Sequence, residues 1–215
     1  MPSNCCEITD SVFSEEEAKS ELRNYRRKGP AKTTQLILDA IRSLDLKNAD
    51  LLDIGGGIGV IHHELLRDVA RTATHVDASS AYLNEAKKET GRRGHDERVT
   101  FMHADFTDVA ETLPSTDIVT LDRVVCCYPN FRDLLNAAAA NSKRALALSY
   151  PREVWYMRIF LKVTNLFQKL RRDPFRVFLH PVSEMDLLIK QAGFERNTLR
   201  KLFGWEVALY QRSGS

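Results

Sequence analysis

The segment Leu51-Leu52-Asp53-Ile54-Gly55-Gly56-Gly57-Ile58-Gly59 constrains the fold more than any other stretch of the chain. Its apolar first half reads as a buried strand, and the glycines that follow let the backbone turn sharply and come close to a ligand. The helix expected next would offer free N–H groups at its start. Nucleotide binders of many kinds use such a turn, so alone it fits either a ligand cradle or a plain strand-to-helix connection.

The chain repeats the pattern. Strands are predicted over 49–54, 73–77, 98–103, 117–121 and 145–149, with a helix running to about Val69 and others over 79–90 and 130–141. Units of this length predict an α/β fold, Rossmann-like and doubly wound, with helices on both faces of a mostly parallel sheet. After Pro151 an amphipathic helix is expected over 153–170, an extended piece through His180-Pro181, and a helix over 182–192 stopped by Gly193. Two last strands, 195–202 and 205–211, would form an antiparallel C-terminal hairpin at the sheet edge.

Two helices precede the first strand. Ser14 followed by Glu15, Glu16 and Glu17 is a helix start, a hydroxyl cap with acids at the positive end of the dipole. Gly29-Pro30 breaks that helix, and a second is predicted over 31–44 with Ile37, Ala40 and Ile41 on one face. The expected organisation is an N-terminal helical arm or lid over 1–48 and a core over 49–215, with a helical insertion around 153–181. At 215 residues the chain suits one domain with such an addition.

Successive strands end in acids: Asp53, then Asp77, then Asp105 beside Phe106. Ligands of open α/β sheets bind at those carboxyl ends, where an acid can hold the two hydroxyls of a ribose. The D-x-G-x-G-x-G spacing from Asp53 to Gly59, with Asp77 and Ala104-Asp105-Phe106, resembles class I S-adenosylmethionine-dependent methyltransferases. The resemblance covers roughly 49–150 and implies S-adenosyl-L-methionine as the cofactor. It implies that the glycine turn lies against the methionyl part, that Asp77 bonds the ribose and that Asp105 bonds the adenine amino group. The cofactor site expected on this basis comprises Asp53, Gly55, Gly56, Gly57, Asp77, Ala78, Ser79, Asp105, Phe106 and Asp122, with no metal. A dehydrogenase fingerprint would need a glycine where Val60 stands.

The acceptor is far less legible. The run Asp122-Arg123-Val124-Val125-Cys126-Cys127-Tyr128-Pro129, with Phe178-Leu179-His180 and the N-terminal helices, is similar to magnesium-protoporphyrin O-methyltransferases. There a histidine precedes the Tyr-Pro pair; Cys127 holds that place here, so the likeness is one of branch rather than of substrate. It suggests Tyr128, His180 and Tyr25, the last as an aromatic that closes over the site, as catalytic residues. Each has a plainer reading: Tyr128 as a packed loop aromatic, His180 as a cap for the next helix. The helix over 153–170 puts Tyr156, Ile159, Phe160, Val163, Phe167 and Leu170 on one stripe. That stripe fits packing against the sheet or a partner, or a lid over an apolar pocket. Arg158, Lys162, Lys169, Arg171 and Arg172 would suit a membrane surface or an acidic substrate.

Composition narrows the alternatives. A net charge of +2 gives no broad basic surface, so a small-molecule acceptor, apolar or aromatic, is expected ahead of nucleic acid. An RNA-modifying methyltransferase and a non-catalytic S-adenosylmethionine-binding protein are the rival readings. The four cysteines fall in the adjacent pairs Cys5-Cys6 and Cys126-Cys127, which fits free thiols; a soft-metalloid acceptor held by all four is the other reading. The first residues lack an apolar signal core, so a cytoplasmic protein is expected.

Overall fold

The computed structural model describes residues 12–171 and 173–214. Helix α1 (Glu15–Lys28) begins at a full capping box: Ser14 Oγ accepts the Glu17 N–H, and the Glu17 carboxylate accepts the Ser14 N–H. Its last turn is basic and Gly29 caps it, at a φ of 76° that favours glycine. Helix α2 (Lys32–Arg42) buries Ile37, Leu38 and Ile41 completely.

Seven strands form one sheet: β1 (Ala49–Ile54), β2 (Ala70–Asp77), β3 (Val99–His103), β4 (Thr116–Asp122), β5 (Ser142–Pro151), β6 (Phe194–Lys201) and β7 (Trp205–Arg212). Their spatial order is β3-β2-β1-β4-β5-β7-β6. The first five are parallel, while β7 runs antiparallel to β5 and β6 antiparallel to β7. This is the expected doubly wound sheet with its antiparallel hairpin. The order reverses between β1 and β4, and a crevice at that switch point is where such sheets hold ligands.

Apolar residues cover both faces. One cluster joins Leu51, Ile118 and Leu209 of the sheet to Ile37, Leu38 and Ile41 of α2 and Leu65 of α3 (Val60–Leu65). The other joins Leu52, Val119 and Leu146 to Leu134 and Leu135 of α6 (Phe131–Ala140) and to Met185 and Ile189 of α8 (Val182–Gln191). Between them in the chain come α4 (Ser80–Arg93), the single turn α5 (Phe106–Val109), and α7 (Trp155–Leu170). Because α2 is sealed into the sheet's covering layer, α1 alone among the described N-terminal residues stands as an arm. It packs through Ala18, Leu22 and Tyr25 over Ile58 of the glycine turn and against Tyr82 of α4.

Of the readings for the stripe on α7, packing against the sheet does not hold. Met157 and Leu161 are buried, whereas Ile159, Phe160, Val163, Phe167 and Leu170 are exposed. Amphipathic spacing reveals that a helix has an apolar face; which face meets the fold depends on what lies beneath, and here the narrower face wins. Tyr156 is half-buried and stacks on Phe203, centroids 5.0 Å apart. Among the described residues no helix is long and apolar enough to cross a membrane.

Candidate active-site cleft

The carboxyl ends of β1 to β4 open into a cleft of about 1560 Å³. Gly55, Gly57, Asp77, Ala78, Ser79, Asp105, Phe106, Asp122 and Tyr128 all line it, so the structure gathers most of the residues singled out from sequence. Met157, Phe160 and Leu161 of α7 line it too, with Phe175 and Phe178 from the segment that follows.

Asp77 ends β2 and is only 8% exposed. One of its oxygens accepts the Gly57 N–H and the other the Ser79 N–H, both at 2.8 Å. Burial pushes its carboxyl up to about 6 despite these two donors. Each oxygen keeps a further lone pair for a ligand hydroxyl. Asp105 caps α5, accepting the Thr107 N–H at 3.0 Å and the Thr107 hydroxyl at 2.9 Å. The same oxygen accepts the Tyr128 hydroxyl, so the phenol that sequence marked as catalytic is anchored on the β3 acid. Asp122 accepts the hydroxyls of Thr34 from α2 and Ser149 from β5.

Arg123, from the run at the β4 end, and Glu21 of the arm, which sequence reading missed, meet across the cleft. Arg123 follows Asp122 at a φ of 63°, held there by its N–H donating to Ser149 Oγ at 2.8 Å. Its guanidinium reaches Glu21 of α1 at 3.4 Å, and the Tyr82 hydroxyl donates to the same carboxylate at 3.0 Å. No local pattern flags Glu21; its role comes from a fold that carries α1 over α4.

Four expected site residues are elsewhere. Asp53 and Gly56 face the interior beneath the glycine turn. Asp53 accepts the Thr120 hydroxyl at 2.7 Å, and burial pushes its carboxyl up to about 6. Its other oxygen lies 3.7 Å from His62 Nδ1, which in turn sits 3.1 Å from His75 Nδ1. His62, His63 and His75 are fully buried, and burial holds them neutral. One oxygen of Asp53 and a ring nitrogen from each of His62 and His75 lie within 4.8 Å of one another, all sealed from solvent. The glycines answer to this cluster. A Cβ on Gly56 would sit 2.6 Å from His75 and 2.7 Å from Asp53, and one on Gly59 would sit 2.3 Å from His62. The turn therefore faces the cleft through Gly55 and Gly57 and packs on imidazoles through Gly56 and Gly59.

Tyr25 is buried away from the cleft. Its hydroxyl donates to Glu64 at 2.6 Å and accepts from Arg93 at 2.9 Å, inside a network where Arg26, Arg92 and Arg93 converge on buried Glu89. His180 neither lines the cleft nor caps α8, whose cap position is Pro181. Its Nε2 lies 2.9 Å from the Tyr128 carbonyl and 3.2 Å from that of Val125, so it donates there and holds the Cys-Cys-Tyr turn. The thiols of Cys126 and Cys127 both donate to the Arg123 carbonyl. Contact with Cys126 and burial push Cys127 well above its ordinary value, which keeps it a neutral thiol. Cys5 and Cys6 lie outside the described residues, as does Arg172.

Fold and cleft are of the kind found in class I S-adenosylmethionine-dependent methyltransferases. Residues 51–147 match a family described as a methyltransferase domain. Magnesium protoporphyrin IX methyltransferase from Synechocystis PCC 6803, solved with SAH, is 17% identical, with a TM-score of 0.70 over 97% of this chain and 100% of that one. A putative methyltransferase from Haloferax volcanii, in complex with the Trm112 methyltransferase activator, is 14% identical with a TM-score of 0.70, covering 98% of each chain. An O-methyltransferase family protein from Burkholderia thailandensis is 19% identical with a TM-score of 0.67, covering 99% of this chain and 68% of that one. At such identities the likeness is one of fold. No curated protein matches the chain. The residues present fit S-adenosylmethionine as a cofactor. A buried acid with free lone pairs ends β2, and Gly55, where a Cβ would meet Val124 at 2.5 Å, gives close backbone approach.

Proposed function

We infer that the chain methylates an oxygen or nitrogen of a small, largely apolar acceptor. One observation carries this reading: the cleft that holds Asp77 and Asp105 is also lined by Met157, Phe160, Leu161, Phe175 and Phe178. Apolar walls with a few convergent polar groups suit a small organic ligand.

S-adenosylmethionine, when bound, supplies an electrophilic methyl group on sulfur. The chain's own residues orient and enclose. Asp77 would take the ribose hydroxyls on the lone pairs its backbone donors leave free. Asp105, fixed by Thr107 and Tyr128, would accept from the adenine amino group, and Phe106 would contact the ring. Gly55 and Gly57 would let the methionyl part approach, Ala78 and Ser79 would hold the ribose end, and Asp122 would bound the site at the end of β4. Alignment and exclusion of water supply most of the rate for such a transfer. Helix α1 serves as the lid, since Glu21 meets Tyr82 and Arg123, and Phe13 lies edge-on to Phe175 at 5.4 Å.

Arg26 of the arm supports this reading over one for nucleic acid, because it is paired with the buried Glu89 at 2.6 Å. The test is product formation from S-adenosylmethionine with planar aromatic acids and phenols, read by mass spectrometry, beside a tRNA control. Methylated aromatic product that Asp77→Ala abolishes is the expected result. Methyl incorporation into tRNA alone would overturn the small-molecule reading, and tight cofactor binding without any product would favour a binding protein.

A further inference from the structure

Helix α7 carries two apolar faces and uses only one. Met157 and Leu161 anchor it to the fold, while Ile159, Phe160, Val163, Leu166, Phe167 and Leu170 are each more than half exposed. At 1.5 Å per residue the stripe runs about 18 Å along the surface. Aromatic residues stand at its start, with Trp155 74% and Phe203 of the β6–β7 turn 84% exposed. A contiguous apolar patch of this extent marks an interaction site.

Charge identifies the occupant. The helix from Trp155 to Leu170 contains Arg158, Lys162 and Lys169 and no acid, and Arg171 follows with its guanidinium over the Phe167 ring at 4.2 Å. On a helical wheel the lysines and Arg158 border one side of the stripe and Arg171 the other. The acid just before the helix, Glu153, is bonded to Arg158 at 2.7 Å. A second copy meeting this face in a two-fold contact would set these cations against their own counterparts. An anionic lipid surface pairs with them while its acyl boundary takes the apolar stripe.

We propose that α7 docks the protein in the plane of a membrane bearing anionic lipid, with Trp155 and Phe203 at the headgroup level. The helix lies on the bilayer and does not span it. Phe160 also lines the cleft, so docking brings the acceptor chamber to the lipid boundary. That link to the acceptor rests on the small-molecule reading above; the docking does not.

The test is co-sedimentation of the full chain with phosphatidylcholine vesicles, with and without phosphatidylserine. Tryptophan fluorescence is followed in parallel, in a Trp205→Phe background that leaves Trp155 as the emitter. Binding at least tenfold stronger with phosphatidylserine and a blue shift of the emission are expected. The double variant Val163→Glu/Leu166→Glu, at exposed positions outside the cleft, loses both with an unchanged melting temperature. Lys162→Glu/Lys169→Glu loses the preference for phosphatidylserine. No binding to either vesicle overturns the proposal, as does binding that the Val163/Leu166 variant leaves intact. A dimer that the same variant dissociates, in a chain that ignores vesicles, reassigns the face to self-association. None of these readouts uses turnover, so failure here and failure of the acceptor reading are distinguishable.

Discussion

The carboxylate of Asp77 accepts the backbone N–H of Gly57 at 2.8 Å, tying the end of β2 to the turn that leaves β1. The acid thus shapes the glycine turn as well as facing the cleft. Asp77→Ala should lower affinity for S-adenosylmethionine at least tenfold. It should also cost about 1–3 kcal/mol of stability, because two N–H groups lose their acceptor. Calorimetry and denaturant unfolding separate the two effects; a folded variant with unchanged affinity would remove the ribose assignment.

Gly56 is required by its own protein rather than by a ligand. Gly56→Ala should destabilise by about 1–3 kcal/mol through overpacking against His75 and Asp53. Urea unfolding checks this, and a variant as stable as the parent would show that the imidazole cluster is looser than described.

Stability should fall as the pH drops from 7 to 5. His62 and His75 are pushed down to about 3, and His63 to about 2, by burial. Unfolded, each protonates near 6.5, so their stabilisation is present above that value and declines below it by about 1.4 kcal/mol per pH unit each. Asp53 and Asp77, raised to about 6, act oppositely: their contribution is full below 3.8 and is lost as pH rises through 6. Three imidazoles outweigh two carboxyls, leaving a net loss of about 3 kcal/mol between pH 7 and 5. Urea midpoints that hold steady or rise on acidification would contradict the neutral cluster.

Tyr25 and Tyr128 should part company. Tyr25→Phe removes a hydrogen bond to Glu64 and should cost about 1 kcal/mol of stability with turnover kept. Tyr128→Phe frees Asp105 from its anchor and should lower kcat/KM at least tenfold at similar stability. The reverse pattern in steady-state kinetics would return Tyr25 to the site.

The sequence displayed the sheet and the cleft's acids because strand periodicity and strand-end residues are local signals. The capping box at Ser14 and the acid at Asp77 are of that kind. The inward turn of Asp53 was hidden: Thr120 and His75 come from the two strands flanking β1, and only the sheet brings them together. The place of Tyr25 outside the cleft is not a local signal either, because its partners, Glu64 and Arg93, lie far along the chain. For α7, spacing showed an apolar stripe but carried no information on which face the fold would cover.

Titration calorimetry with S-adenosylmethionine, S-adenosylhomocysteine and NAD tests the central claim most directly. Micromolar binding of the first two, no heat from NAD and loss of binding in Asp77→Ala are the predicted results. Absence of binding by either adenosyl compound, or equal binding of NAD, would contradict it.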